Sequence, residues 1–319
     1  MNNCFFKTLR PGINTTYQDE GRFGSQHLGL PPGGCMDQKS FLIANAIVGN
    51  KKNYGVLEFA YQGPKLKLFK GEIKIAITGN VYFKINYSNN QTIEGECNRS
   101  YNLKEGDIID IIATKKSVYG YLSVEGGFKT ESFLNSVSTL VRAKIGPNNG
   151  NKIRLEDKIF INKNRNNKSN FKVDFLTKDT NTIRVLKGPQ FNYFSEKSKS
   201  DFFSKDYKIT NLTDRMGMRL QGEVLKNIVD TNIRSEGITK GAIQVPADGQ
   251  PIILLTDHPT IGGYPKIANI ISADYDLLIQ KIPGTSISFR YIDLKEAEKL
   301  YKDKFNNILK IKKKIKEII

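Results

Sequence analysis

The chain has 319 residues, 39% hydrophobic and 10% aromatic, enough for one large or two ordinary packed cores. Its net charge of +17 comes mostly from lysines spread along the chain without an aromatic-interleaved basic stripe, so we expect no nucleic-acid partner. No run approaches the roughly twenty apolar residues that cross a bilayer, and the first residues do not resemble a signal peptide. We therefore expect a cytoplasmic protein with no membrane partner.

Cysteine and histidine are too sparse to indicate a disulfide framework or a metal centre. The three cysteines, Cys4, Cys35 and Cys97, are far apart, and none belongs to a Cys-x-x-Cys pair. His27 and His258 are the only two histidines in the sequence. We predict no metal site.

Short runs rich in β-branched and aromatic residues, separated by Gly, Asn and Pro, predict a mainly β protein. The predicted strands are residues 56–60, 65–69, 73–78, 81–86, 108–113, 119–125, 183–187, 207–212, 252–255 and 286–291.

Few helices are predicted. One begins at Asp37, whose carboxylate can accept hydrogen bonds from free N–H groups, and stops at Gly49. A second, short helix is predicted over residues 273–280. Residues 294–319 have apolar side chains near helical spacing and lysines at the end, which predicts a C-terminal amphipathic helix. Docking on its own domain is the preferred role, and contact with an acidic partner is the alternative.

A change in composition predicts the domain organisation. Residues 162–170 are charged and rich in asparagine without an apolar period, which is typical of a flexible boundary. We predict an N-terminal β-rich subdomain over 1–165, a C-terminal subdomain over 171–292 and a helical extension over 293–319.

Polar groups and glycines are densest just after the predicted strand 252–255. This exit carries Asp257, Thr260, Gly262, Gly263, Tyr264 and Lys266. Two adjacent glycines permit a turn with positive φ and let a ligand approach the backbone N–H groups. A tight turn between strands is the alternative, but the surrounding polar groups favour a binding site.

Three arginines are candidates for holding an anion, because a guanidinium fits carboxylate or phosphate oxygens in pairs. They are Arg22, Arg215 and Arg219, and a salt bridge is the alternative for each. If the last two lie on one strand, they share a face and can point into one cleft.

Two further side chains are candidates for the same cleft. Gln244 lies on an apolar predicted strand, where its amide needs hydrogen bonds that a ureido or lactam group can supply. Glu236 is a candidate to face the cleft.

Several segments carry motifs of one known family in that family's order. They are YQDEGR at 17–22 with GGCMD at 33–37, LE at 57–58 with GP at 63–64, GPQ at 188–190 with RMGMRL at 215–220, and the segment 241–268. From about residue 8 to about residue 289, the chain resembles the biotin-dependent carboxyltransferase family, also called the allophanate hydrolase subunit 2 family.

The resemblance implies a fold and an activity. The fold is two subdomains with cyclophilin-like β-barrel architecture, the C-terminal barrel carrying the Gly-Gly-Tyr-Pro-Lys motif. The activity is an ATP-dependent 5-oxoprolinase, which converts 5-oxo-L-proline to L-glutamate. The chain is expected to be active only in complex with a smaller cyclophilin-like partner, the B subunit of such an enzyme, and a third, lactam-opening subunit.

The expected site combines catalytic and substrate-binding residues. Lys266, Asp257 and Tyr264 are the predicted catalytic residues. The predicted substrate-binding residues are Arg215, Arg219, Arg22, Gln244, Glu236, Thr260, Gly262 and Gly263.

The absence of two sequence motifs limits the cofactors that this chain is expected to bind by itself. The sequence has no Gly-x-x-x-x-Gly-Lys-Ser/Thr loop and no Met-Lys dipeptide of a biotin carrier. ATP is therefore expected at a site shared with partner subunits, and biotin only if another chain supplies it. The alternatives are a biotin-dependent carboxyltransferase subunit acting on a small amide or urea-like acceptor, and a regulatory protein binding a kinase inhibitor.

Overall fold

A computed structural model describes residues 4–162, 169–175, 179–230 and 232–318. The chain divides into two compact units. Unit 1 comprises Met1–Arg22, Gly33–Leu176 and Asn307–Ile319, and unit 2 comprises Phe23–Pro32 and Thr177–Asn306. Within the predicted boundary 162–170, residues 163–168 lie outside the described residues.

Unit 1 is built from antiparallel strands. In chain order they are β1 (Phe5–Arg10), β2 (Thr16–Gln18), β3 (Val56–Ala60), β4 (Lys65–Phe69), β5 (Glu72–Gly79), β6 (Val81–Asn86), β7 (Thr92–Glu94), β8 (Arg99–Lys104), β9 (Ile108–Thr114), β10 (Tyr119–Val124), β11 (Lys158–Phe160), β12 (Asn170–Lys172) and, near the C-terminus, β22 (Lys316–Ile318).

These strands form two sheets. One has the order β11-β1-β4-β9-β6-β7 and the other β2-β3-β10-β5-β8-β12-β22. Side chains alternate between buried and partly exposed along β6, as period-2 strand geometry requires. Buried residues of both sheets, such as Phe83 and Leu122, belong to one apolar cluster.

The helix predicted after Asp37 is confirmed as α1 (Gln38–Ile47). The Asp37 carboxylate accepts a hydrogen bond from the backbone N–H of Ser40 at 2.9 Å, which satisfies one of the free donors of the first turn. Ile43 and Ile47 are buried in a second apolar cluster of unit 1.

Unit 2 contains a closed barrel. Its strands, with those of a separate ribbon, are β13 (Thr182–Lys187), β14 (Tyr207–Thr213), β15 (Gly217–Gln221), β16 (Glu236–Gly237), β17 (Ala242–Gln244), β18 (Ile252–Leu254), β19 (Ile261–Gly262), β20 (Lys266–Ile270) and β21 (Ser286–Tyr291). The barrel order is β13-β20-β17-β18-β15-β14-β21, and a parallel pairing of β21 with β13 closes it. β16 and β19 pair as a two-stranded antiparallel ribbon.

The barrel of unit 2 is accompanied by α2 (Glu196–Ser204) and α3 (Tyr275–Leu278). The rings of Phe202 on α2 and Phe289 on β21 stack with their centroids 4.6 Å apart. α3 confirms the short helix predicted over 273–280, whereas the sequence does not predict α2.

The C-terminal amphipathic helix is confirmed as α4 (Leu294–Lys313), but it is shorter than predicted. In unit 2, Ala297 packs in an apolar cluster, and Lys304 pairs with Asp276 at 2.8 Å. In unit 1, Ile311 packs in the cluster around α1. The prediction of helix as far as residue 319 is wrong, because β22 pairs with the edge of β12 instead.

The predicted fold class is confirmed: the chain is mainly β with cyclophilin-like barrel architecture, few helices and a C-terminal amphipathic helix. Over the part of the chain that the structure describes, no helix combines the length and the apolar character that a membrane span requires.

Candidate functional site

A cavity of about 220 Å³ lies in unit 2, between the ribbon and the barrel strands β17 and β20. It is lined by Pro189, Glu236, Gly237, Ile238, Thr239, Ala242, Lys266, Ala268 and Asn269. Two of the predicted site residues, Glu236 and Lys266, therefore line one cavity.

Lys266 is the buried cation of this cavity. It is the first residue of β20, and only 5% of its side chain is exposed. Its Nζ lies 2.6 Å from Glu236 Oε1 and 3.4 Å from the carbonyl oxygen of Tyr264. A buried ammonium needs such partners because it has lost its water.

Gln190 connects the two charged residues. Its Nε2 donates to Glu236 Oε1 at 2.8 Å, and its Oε1 accepts the backbone N–H of Lys266 at 3.2 Å. The Lys266 ammonium, and then the Gln190 amide, lower the pKa of Glu236. Gln190 is not among the predicted site residues, although it ends the GPQ motif at 188–190.

Gly188 explains why this motif begins with glycine. A Cβ on Gly188 would lie 2.1 Å from the carbonyl oxygen of Lys266, closer than any real contact. The Gly188 N–H donates to the carbonyl oxygen of Ile267 at 2.9 Å. The glycine therefore lets the chain before Gln190 run directly against β20.

Gln244 places a buried amide beside these residues. It is 6% exposed and lies opposite Lys266 in the β17–β20 pairing. Its Nε2 has no hydrogen-bond acceptor among the described residues. A buried donor without a partner is costly, so a ligand acceptor here would lower the free energy of the site.

The two adjacent glycines allow close packing and do not form a turn with positive φ. The expectation of a positive-φ turn is wrong, because neither Gly262 nor Gly263 has a positive φ. Gly262 is in the ribbon opposite Glu236, and a Cβ on it would lie 2.7 Å from Gln244 Nε2. A Cβ on Gly263 would lie 3.0 Å from the carbonyl oxygen of Ile233.

Asp257 and Arg215 form an ion pair. Arg215 Nε is 2.8 Å from Asp257 Oδ2, and Nη2 is 3.0 Å from Oδ1. The condition that both arginines lie on one strand is not met, since β15 begins at Gly217. The shared-face argument therefore does not apply to Arg215.

Arg219 lies on β15 and pairs with Asp248. Within unit 2, Arg215 and Arg219 therefore pair with two different carboxylates, those of Asp257 and Asp248.

The remaining predicted residues have separate environments. The carbonyl oxygen of Thr260 accepts the N–H of Ile238 at 3.1 Å, which fixes one end of the ribbon. The side chain of Tyr264 is exposed. Arg22 is buried in unit 1, where its guanidinium donates to the carbonyl oxygen of Ser138.

The chemistry of the site is that of oxygen binding. An ammonium and the amides of Gln190 and Gln244 supply N–H donors, with one carboxylate among them. Such donors stabilise a carboxylate or a developing oxyanion. Within the described residues there is no group of three or more His, Cys, Asp or Glu side chains that could hold a metal ion.

Comparison with known proteins identifies the family. The family model for the carboxyltransferase domain, subdomain A and B, matches residues 28–291. The chain belongs to this carboxyltransferase family. The predicted family is thereby confirmed.

Three relatives show the extent of the similarity. The C subunit of 5-oxoprolinase from Haemophilus influenzae is 33% identical over 285 residues, covering 89% of this chain and 90% of the relative. The C subunit of 5-oxoprolinase from Escherichia coli is 33% identical over 297 residues, covering 93% and 94%. The crystal structure of the K. lactis urea amidolyase superposes with a TM-score of 0.87 at 29% identity, covering 97% of this chain and 20% of that one.

Proposed function

We propose that this chain is the C subunit of an ATP-dependent 5-oxoprolinase, which converts 5-oxo-L-proline to L-glutamate with its partner subunits. The observation that carries the proposal is similarity over nearly the whole length of both chains to two proteins of that name. The proposed partners are the smaller, cyclophilin-like B subunit of the same enzyme and a third, lactam-opening subunit, and the proposed location is the cytoplasm.

The reaction explains the type of site that is needed. A lactam carbonyl is a poor electrophile, and transfer of a phosphoryl group from ATP to its oxygen activates the carbon. Water then adds to that carbon and the ring nitrogen leaves as an amine, which gives an acyl phosphate. A second water hydrolyses the acyl phosphate to the carboxylate of glutamate and free phosphate. Each step places negative charge on oxygen, where preorganised N–H donors lower the barrier.

In this proposal the donors around the cavity act on the substrate. Lys266 pairs with a negatively charged oxygen of the substrate, and Gln244 satisfies its amide with a second substrate acceptor. Tyr264 and Asp257 remain proposed catalytic residues. Arg22, Arg215, Arg219, Thr260, Gly262 and Gly263 remain proposed substrate-binding residues. Glu236 is a proposed member of the same site through its ion pair with Lys266.

The cavity does not fit a whole nucleotide. Pockets for drug-sized ligands occupy about 300–1,000 Å³, and the present cavity has about 220 Å³. Its ammonium is also paired with a carboxylate, which leaves little positive charge for a triphosphate. This supports the proposal that the ATP site is shared with partner subunits.

Reconstitution tests the proposal. The chain is co-expressed with its candidate partners, and glutamate is measured with ATP and 5-oxo-L-proline present or omitted. Glutamate should form only when both substrates and this chain are present. Full turnover by the partners without this chain would refute it. A stable complex should bury at least about 1,000 Å² and elute as one species in size-exclusion chromatography.

One alternative has a specific observation in its favour, the superposition on the K. lactis urea amidolyase. On that basis the chain would transfer a carboxyl group from carboxybiotin, supplied on another chain, to a small amide or urea-like acceptor. Avidin sequesters biotin, so turnover that avidin abolishes would favour this alternative over the 5-oxoprolinase.

A further inference from the structure

Two N–H donors, one of which lines the cavity, are directed at a single oxygen of the chain itself. Lys266 Nζ is 2.6 Å and Gln190 Nε2 is 2.8 Å from Glu236 Oε1. Gln244 Nε2, buried nearby, has no acceptor within the described ranges of the chain. The carboxylate of a small ligand would present to the first two donors the same group that Glu236 presents.

Glu236 and Lys266 depend on each other unequally. The Glu236 side chain is 43% exposed, whereas that of Lys266 is 5% exposed. Glu236 can therefore turn its carboxylate into water and remain hydrated, but the ammonium always needs a partner inside the protein. Glu236 also lies on a strand of only two residues, at the edge of the cavity.

We propose that Glu236 is an internal stand-in for the carboxylate of the ligand. In the free chain it occupies the donor pair formed by Lys266 and Gln190, and a small carboxylic acid entering the cavity displaces it. The ligand class is a small monocarboxylate with a second acceptor for Gln244. The expected acid, 5-oxo-L-proline, rests on the proposed function.

The proposal predicts that Glu236 weakens ligand binding. A competitor inside the protein lowers apparent affinity by the fraction of time for which it blocks the site. Partly exposed ion pairs are worth up to about 1 kcal/mol, so removing the competitor should tighten carboxylate binding by roughly fivefold. A residue that merely shaped the cavity or contacted the ligand would give the opposite change.

The test is calorimetric titration of the full chain, alone and in its complex, with three small molecules. They are 5-oxo-L-proline, cyclopentanecarboxylate, which has the carboxylate without the lactam, and 2-pyrrolidinone, which has the lactam without the carboxylate. Wild type is compared with Glu236→Gln and Glu236→Ala. Glu296→Gln is the matched control, because Glu296 is similarly exposed and paired with Arg290.

Both Glu236 variants should bind the two acids roughly fivefold more tightly than wild type, with 2-pyrrolidinone unchanged and Glu296→Gln behaving as wild type. Equal or weaker binding by the folded variants of every acid that binds would overturn the proposal, as would a failure of both acids to bind any form. Circular dichroism and melting curves establish that the variants are folded.

The outcome separates this inference from the proposed function. If only cyclopentanecarboxylate binds and gains affinity, the exchange is supported and 5-oxo-L-proline is excluded as the acid. If the complex makes glutamate but neither Glu236 variant gains affinity, the exchange is overturned and the proposed function stands.

Discussion

Arg215 and Asp257 are joined at two points, through guanidinium-to-carboxylate hydrogen bonds of 2.8 and 3.0 Å. The backbone N–H of Asp257 also donates to the carbonyl oxygen of Arg215 at 2.8 Å. These contacts connect the segments before β15 and after β18, which pair in the barrel. The Asp257 carboxylate therefore has a structural role through Arg215. A test of its proposed catalytic role must separate an effect on turnover from an effect on stability.

Loss of this pair should destabilise unit 2. Asp257→Asn removes a carboxylate from a guanidinium that is only 17% exposed, and should lower the free energy of unfolding by about 2–3 kcal/mol. Arg219→Gln is the matched control: it breaks the more exposed pair with Asp248 and should cost at most about 1 kcal/mol. Urea denaturation measures the free energy of unfolding of both variants. An equal loss in the two would contradict the view that the Arg215–Asp257 pair stabilises unit 2 more than the Arg219–Asp248 pair.

The buried ammonium of Lys266 should matter for turnover. In the reconstituted complex, Lys266→Met should lower turnover by on the order of a hundredfold, because it removes a positioned cation and keeps most of the side-chain volume. Lys266→Arg should retain only part of the wild-type turnover, since the planar guanidinium of arginine does not reproduce the compact charge of the ammonium. Steady-state kinetics beside thermal melts measure both effects.

Lys281→Met is the matched control for Lys266→Met. The Lys281 ammonium is also buried, and it pairs with the exposed carboxylate of Asp179. Its loss should leave turnover near that of wild type. Near-normal turnover of Lys266→Met at an unchanged melting temperature would show that the reaction does not use this ammonium.

Gly262→Ala should disturb the Gln244 amide. The new Cβ would lie 2.7 Å from Gln244 Nε2, so the amide must shift away from its present position. We expect a rise in KM for 5-oxo-L-proline of roughly tenfold, as for loss of one hydrogen bond to the substrate. An unchanged KM would separate Gln244 from substrate binding.

Gly237→Ala provides the stability control for that variant. Gly237 lies in the ribbon opposite Ile261, and its Cβ would meet nothing within 4 Å. Its melting temperature should match that of wild type, whereas Gly262→Ala should melt lower. Identical melting of both variants would mean that Gln244 adapts without cost.

Much of the fold could be predicted because it depends on local patterns. Alternating burial along β6 and the Asp37 cap of α1 are properties of neighbouring residues, and both predictions are confirmed. α2 could not be predicted from periodicity, because only Ser198 and Phe202 among its nine residues are buried. The prediction of helix over β22 is wrong because the pairing of this strand with β12 is not a local property.

The site could be predicted less completely, for a related reason. Motifs directed attention to the segment around Lys266 and to residues 188–190, and the structure brings these together. Ion-pair partners are distant in sequence: Asp257 is 42 residues from Arg215, and Asp248 is 29 residues from Arg219. No spacing rule connects such residues, so the sequence could not show that both arginines are paired.

His258 should make stability depend on pH. It is buried, with Nδ1 2.6 Å from the carbonyl oxygen of Pro259. Burial, with a smaller effect from the Lys240 charge, lowers the pKa of His258 below its ordinary value of 6.5, although Pro259 and Asp257 oppose the shift. The folded chain therefore favours the neutral imidazole.

The sign of the effect follows from where the proton binds. The unfolded chain takes up a proton near pH 6.5, which the folded chain accepts only at a lower pH. The contribution of His258 to the free energy of unfolding is thus fully present above pH 6.5. It is lost as the pH falls from 6.5 through the lowered pKa of the folded chain. Urea denaturation between about pH 7 and 5 should show that the free energy of unfolding of the wild type declines as pH falls. In His258→Phe this decline should be smaller. His27→Gln, at the other and exposed histidine, should leave the decline unchanged, and equal slopes for all three proteins would assign it to other groups.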